Sequence, residues 1–302
     1  MPPRVALITG CSEPSSLGAA LALALHRQGV KVYATARRAS TMSDLAAEGL
    51  NLIELDVTDK ESIQAAVDVI EAQDGRLDIL VNNAGVGGRA PLLDVDLDRL
   101  RALFEVNTFA PLAVTQAFAD LLVEAGKTGR DAVVLNVGSG AVYGPPFSGS
   151  YGASKVRVGG GWDDAEPAQA ALQTLSDTLR RELAPLRIRV ITLELLMVST
   201  AMLNRQKIYD LFRPTPSGYY ANWPAIEADM RGDKQRTGGA ARAADVAARL
   251  ARALTSPSPP RKIWDGVPSW LFRWVLPLLP VSWLDWLLVK SARGVRLVQR
   301  PE

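Results

Sequence analysis

Short apolar runs alternate with helical patterns from the first residues of the chain. "RVALITG" (4–10) reads as a strand buried on both faces, and "GAALALALHRQG" (18–29) as the helix after it, closed by Gly29. The same alternation continues through "VKVYATAR" (30–37), "LNLIELDVTD" (50–59), "LDILVNNAG" (77–85), "DAVVLNVGS" (131–139) and "IRVITLELL" (188–196). Each of these strand patterns is preceded by a helical segment. Short, doubly buried strands separated by helices predict a parallel sheet covered on both faces. Right-handed crossovers then make the α/β architecture a doubly wound, nucleotide-binding one.

One stretch breaks the rhythm. In "YGASKVRVGGGWDDAEPAQAALQTLSDTLRREL" (151–183), Tyr151 and Lys155 have the spacing that stacks two side chains on one helix face. Leu172, Leu175, Leu179 and Leu183 again form a helical stripe, but Gly159, Gly160, Gly161 and Pro167 lie between. The spacing predicts a first helix ending near Gly159, an extruded loop, and a second helix starting around Ala168. Joining "YGASK" directly to "AALQTLSDTLRREL" restores one continuous helix. The borders of 156–169, a valine and a glutamine, are compatible with intron borders at the codon level. The segment therefore reads as an insertion in the gene model.

Bulk properties narrow the function classes. The chain has 302 residues with 34 basic and 32 acidic side chains, a net charge of +2, so nothing suggests a nucleic-acid-binding surface. A single cysteine, Cys11, excludes an intramolecular disulfide framework and fits a reducing compartment. With only that cysteine and one histidine, His26, no zinc site is expected. The strand pattern that begins at once leaves no room for a signal peptide. "TSPSPPRK" (255–262) reads as a linker, which divides the chain into a domain over 1–254 and an extension over 255–302. Within the extension, "WLFRWVLPLLPVSWLDWLLV" (270–289) has about the length of a membrane span but carries Arg273, Asp285, Pro277 and Pro280. Two readings stand side by side: an interfacial segment with tryptophans at the headgroup boundary, or a tail packed over a substrate pocket or a subunit partner.

The first strand-to-helix turn, "TGCSEPSSLG" (9–18), has the position of a phosphate-binding turn, where backbone N–H groups and a helix N-terminus meet an anion. Together with "NNAG" (82–85), "LDVTD" (55–59), "EVNTFAP" (105–111) and "YGASK" (151–155), it resembles the classical short-chain dehydrogenase/reductase family. The resemblance spans about residues 4–203 and implies a Rossmann-like fold, to which the segment after the linker adds a hydrophobic C-terminal helical extension. It implies cofactor contacts at Thr9, Gly10, Ser12, Ser16, Leu17, Gly18, Asp56, Val57, Asn83, Ala84 and Gly85. Ser16 stands where the family has its middle glycine, and the turn is two residues longer. Val198 and Thr200 match the family's contact to the nicotinamide amide, but Leu195 and Leu196 replace its Pro-Gly. At the end of the second strand Arg37 and Arg38 follow Ala36, where NAD-preferring members carry an acid. Guanidinium groups pair with a 2′-phosphate, which points to NADP(H).

The resemblance also assigns catalysis. Tyr151 is expected to donate a proton to a carbonyl oxygen, its pKa lowered by Lys155 one turn along the same helix. Lys155 also holds the nicotinamide ribose, Ser139 binds the substrate oxygen, and Asn107 holds a water that links Lys155 to bulk. Ser139 lies twelve residues before Tyr151, one fewer than usual, with Ser148 and Ser150 as secondary candidates. The implied activity is reduction of a ketone on a hydrophobic or lipid-like substrate by a homo-oligomer. The tail at 264–289 resembles that of the fungal 1-acyldihydroxyacetone-phosphate reductase-like branch. That likeness implies a cytoplasmic protein with peripheral contact to endoplasmic reticulum or lipid-droplet surfaces. A secondary-metabolite ketoreductase and a cofactor-binding protein without catalysis remain open alternatives.

Overall fold

A computed structural model describes residues 2–143, 146–155, 171–200, 208–210, 212–217, 219–220, 223–231 and 239–291. Its centre is a seven-stranded, all-parallel sheet. The strands are β1 (Val5–Ile8), β2 (Lys31–Ala36), β3 (Asn51–Glu54), β4 (Ile79–Asn82), β5 (Ala132–Val137), β6 (Ile188–Leu195) and β9 (Lys262–Asp265). They lie in the order β3-β2-β1-β4-β5-β6-β9, with Leu7 of β1 beside Tyr33 on one side and Leu80 on the other. The order reverses between β1 and β4, and in a sheet of this kind ligands bind in the crevice at that switch point. The doubly wound Rossmann-like architecture expected from the sequence is therefore the one observed.

Most strand positions are apolar because helices cover both faces of the sheet. One core packs Ile8, Val32, Ile79, Leu135 and Leu193 against α1 (Leu17–His26) and α10 (Ala243–Thr255). The other packs Leu7, Tyr33, Leu80 and Val134 against α3 (Lys60–Asp74), α5 (Ala110–Ala117) and α6 (Ala119–Lys127). Local chemistry sets where these helices stop and start. At α3, Asp59 accepts from the Glu61 N–H at 3.0 Å, and Gly75, with φ +62°, closes the other end on the Ile70 and Glu71 carbonyls. Past Gly126 the chain reaches β5; a Cβ at that glycine would meet the Leu186 carbonyl oxygen at 3.0 Å.

Two features differ from the sequence reading. The seventh strand, β9, comes from the stretch assigned to the extension, so the sheet runs past the expected boundary at 254. "KIWD" is short and follows a proline-rich linker, so only its pairing with Thr192–Leu195 of β6 makes it a strand. The first helix of the interrupted stretch, α7 (Gly149–Ser154), ends before Lys155 rather than near Gly159. Lys155 has extended backbone, φ −108° and ψ −153°, so it lies beyond the last turn instead of stacked on it. Helix α8 (Ala171–Glu182) carries the leucine stripe. The segment at 156–169 lies outside the described residues.

Candidate active site

The switch-point crevice opens into a cavity of about 560 Å³ that runs from the β1 and β2 ends to the β5 and β6 ends. Its phosphate end is built by close backbone approach. Gly10 has φ +77°, and a Cβ there would meet the Ala84 Cα at 2.8 Å. A Cβ on Gly18 would lie 2.7 Å from the Gly10 carbonyl oxygen and 2.6 Å from Asn83 Nδ2. Only glycine lets helix α1 start this close to the β1 turn. Ser16 caps that helix by accepting from the Ala19 N–H at 3.1 Å, which leaves its hydroxyl proton free to donate into the cavity it lines. The longer turn with serine in place of glycine thus still presents a donor-rich helix start.

Behind the turn, Thr9 and Asn83 lock the β1 and β4 loops together. Thr9 Oγ1 accepts from the Asn83 and Ala84 N–H groups at 3.0 and 2.9 Å, while Asn83 Nδ2 donates to the Thr9 carbonyl at 2.7 Å. Thr9 and Gly18 shape the cavity from behind; Gly10, Ser12, Ser16, Leu17, Asn83, Ala84 and Gly85 line it.

At the far rim, Asp56 accepts from the Thr58 N–H and hydroxyl through one oxygen, at 3.0 and 2.7 Å. Those two bonds hold its carboxyl below the usual range, with the nearby Arg37 charge acting in the same direction. Its second oxygen is available to a ligand. Val57 lines the wall beside it, and Arg37 and Arg38 stand exposed on the same rim. Neither arginine forms an ion pair among the described residues, so both guanidinium groups are open to an anion.

At the opposite end, Ser139, Tyr151 and Lys155 face one space. Ser139 hydrogen-bonds Tyr151, and its Oγ accepts from the Ala141 N–H at 3.2 Å. Burial pushes the Tyr151 phenol above its ordinary value, and the Ser139 bond only partly opposes this. The expected lowering by Lys155 is thus not what the protein groups produce, because Lys155 sits off the helix with its Nζ donating to the Val137 carbonyl at 3.2 Å. Lys155 is itself fully enclosed, and burial lowers its pKa to about 8. A Cβ on Gly85 would lie 3.0 Å from Lys155 Nζ and 3.1 Å from Asn107 Oδ1, so that glycine makes room for both.

Asn107 lies in a widened turn between α4 (Leu97–Phe104) and α5, and is wholly buried. Its Nδ2 donates to the Val86 carbonyl at 2.9 Å and to Ser154 Oγ at 3.0 Å, and its Oδ1 accepts from the Val86 N–H at 2.9 Å. Both side-chain donors are spent on the protein. The side chain therefore positions the β4 loop against α7 rather than donating to the expected water. Of the secondary serines, Ser148 lines the cavity, while the Ser150 hydroxyl is buried with no hydrogen-bond partner among the described residues.

Sequence reasoning named no individual residue of the far wall. After "NNAG", Gly87 and Gly88 allow Ile208 and Phe212 to pack within 2.8 and 3.1 Å of where their Cβ atoms would be. Arg89 lines the cavity and pairs with Asp229 of α9 (Trp223–Arg231) at 3.1 Å. The missing Pro-Gly is accommodated from across the sheet. Leu196 donates to the Asp265 carbonyl at 2.9 Å, and Gly266, with φ +95°, lies so close that a Cβ there would meet the Leu196 carbonyl carbon at 3.0 Å. Val198 and Ser199 form a two-residue strand, β7, beside β8 (Ala241–Arg242), and with Thr200 this segment borders the cavity.

Residues 4–208 match the family model of the short chain dehydrogenases. The chain is 34% identical over 298 residues to a short-chain dehydrogenase/reductase of Pestalotiopsis microspora, which covers 98% of this chain and 96% of that one. It is 37% identical over 189 residues to the NADPH-dependent 1-acyldihydroxyacetone phosphate reductase of Schizosaccharomyces pombe, covering 62% of this chain and 57% of that protein. A solved short-chain dehydrogenase from Streptomyces avermitilis superposes with a TM-score of 0.71 at 28% identity, covering 95% of this chain and 94% of that chain.

Proposed function

Because the chain belongs to the short-chain dehydrogenase family, we propose that it reduces a ketone on a hydrophobic, lipid-like molecule to the secondary alcohol, using NADPH. The observation that carries this reading is one cavity with a Ser139–Tyr151–Lys155 end and an Arg37–Arg38 rim. The turn fits a pyrophosphate, because glycine at 10 and 18 lets the start of α1 sit against the β1 and β4 loops, with Gly10, Ser12, Ser16 and Leu17 lining the cavity there. Gly10, Ser12, Ser16, Leu17 and Gly18 would hold the diphosphate, Asp56 and Val57 the adenine, and Asn83, Ala84 and Gly85 the middle of the cofactor. Val198 and Thr200 would hold the amide end, and Arg37 and Arg38 the 2′-phosphate that marks NADPH. The NADPH named for the relative in Schizosaccharomyces pombe supports the same choice. When bound, the cofactor supplies the hydride.

The chain's own residues handle the proton. Tyr151 carries its proton at neutral pH, and the Ser139 hydrogen bond, acting against burial, favours the phenolate that donation to the substrate oxygen would leave. Ser139, hydrogen-bonded to Tyr151, holds that oxygen in the same space. Lys155, with a pKa of about 8, is mostly charged at neutral pH and brings a cation to the wall that the phenolate would share once the proton has left. Beyond Gly87 and Gly88, Val86, Leu196 and Ile208 contribute apolar surface beside the Arg89–Asp229 pair, and that surface suits a hydrocarbon chain beside the ketone.

The test is NADPH oxidation followed across a panel of ketones, from small soluble ones to long acyl ketones. Turnover should rise with chain length and be far weaker with NADH. Tight NADPH binding without turnover on any ketone would overturn the enzymatic reading in favour of a cofactor-binding protein.

A further inference from the structure

The extension divides its apolar residues between an inward and an outward face. Leu271, Leu276, Leu279, Leu284 and Leu287 pack inward, around Leu172 at the start of α8. Trp270, Trp274, Leu278, Val281, Trp283 and Trp286 point outward and are 61–74% exposed. Trp270, Trp274 and Leu278 follow a spacing of four, and Trp283 and Trp286 a spacing of three on α11 (Val281–Ser291), so each set forms a stripe. Aliphatic side chains would serve a core equally well on either side. An outward face of tryptophans is the composition of a surface that meets lipid headgroups, where the indole is amphipathic. No single helix among the described residues is long and apolar enough to cross a membrane, so the contact implied is lateral.

Two further observations fix the occupant. Beyond residue 289 the sequence carries Lys290, Arg293, Arg296 and Arg300 against one acid, Glu302, a basic run immediately next to the tryptophan stripe. The face is also continuous with the cavity. Leu196 lines the cavity, its neighbour Met197 bridges to Val267, and both Met197 and Val267 are exposed, leading on to Trp270.

We propose that the tryptophan face of residues 270–286 docks on an anionic phospholipid surface, and that the substrate passes from it over Met197 and Val267 to the cavity rim at Leu196. The first half stands on the extension alone; the second rests on the reading of the enzyme as a reductase of lipid-like ketones. The partner is a bilayer surface rather than a protein because the face combines interfacial aromatics with an adjoining positive charge.

The full chain is sedimented with phosphatidylcholine vesicles and with vesicles that also contain phosphatidylserine. Reduction of a vesicle-borne long-chain ketone and of a short soluble ketone is measured alongside. The expected result is binding that strengthens with phosphatidylserine. In the Trp274→Ser/Trp286→Ser variant binding should fall about tenfold or more, with turnover of the vesicle-borne ketone lost and that of the soluble ketone unchanged. Absence of sedimentation with either vesicle, while the soluble ketone is reduced, overturns the docking surface. Equal binding to both vesicles overturns its anionic preference, and a wild-type dimer that the double variant converts to monomer assigns the face to a second copy instead. Vesicle binding without reduction of any ketone upholds the docking and sinks the reductase reading.

Discussion

Replacing Lys155 by Met should make the cofactor-free protein more stable at neutral pH while abolishing its activity. Lys155 is fully enclosed, and burial lowers its pKa from the ordinary 10.5 to about 8. Below pH 8 the amine is protonated in both folded and unfolded chains, so the folded state carries the whole desolvation penalty, about 3 kcal/mol. As pH rises from 8 toward 10.5 the folded chain sheds the proton first, and stability increases across that window. Above 10.5 the penalty is gone. Methionine has a similar length and no charge, but it cannot donate to the Val137 carbonyl, a bond of 3.2 Å whose loss costs about 1 kcal/mol. The variant should therefore be about 2 kcal/mol more stable at pH 7, with the advantage disappearing near pH 10. Urea unfolding of both proteins at a series of pH values measures this directly. A variant less stable than wild type at pH 7, or a difference that does not change with pH, would refute the reasoning.

Three other outcomes follow from the same geometry. Replacing Arg37 and Arg38 together by Ala should raise the KM for NADPH about 10–100-fold, the loss of charge-assisted bonds, and leave NADH kinetics unchanged. Gly18→Ala places a methyl group 2.7 Å from the Gly10 carbonyl oxygen, so it should cost about 1–3 kcal/mol of stability and weaken cofactor binding in a titration. Glu194 is wholly buried beside Lys262 at 2.8 Å, and burial raises its pKa to about 7. The stability it contributes is full below pH 4.5 and falls as pH rises to 7, so Glu194→Gln should flatten the unfolding free energy across that window by about 2–3 kcal/mol.

Most strands of the central sheet were legible because they are short, largely apolar runs, a pattern that survives without any knowledge of its neighbours. β9 was not, since Lys262–Asp265 becomes a strand only through its pairing with β6. The phosphate end was legible because Thr9, Gly10 and Gly18 flank the first strand-to-helix turn, whereas the cap that Ser16 supplies in place of a glycine appears only in the structure. The chemistry at the other end was legible by type and not by geometry. Tyr151 and Lys155 share the cavity, but the sequence spacing suggested one helix face, and the backbone leaves the helix at Lys155. Nor could the sequence show that both Asn107 donors are spent on Val86 and Ser154, or that Arg89 meets Asp229, since those contacts join distant parts of the chain. The same holds for Gly266, whose close approach to Leu196 makes up for the Pro-Gly that the turn lacks.

The central claim is that Tyr151 delivers the proton in an NADPH-dependent ketone reduction. Its most direct test compares wild type with Tyr151→Phe, measuring turnover of one good ketone substrate and NADPH affinity on the same preparations. Turnover should fall by about 10²–10⁴, the contribution of a positioned general acid, while NADPH affinity stays near the wild-type value. A Phe variant that keeps wild-type turnover would contradict the account.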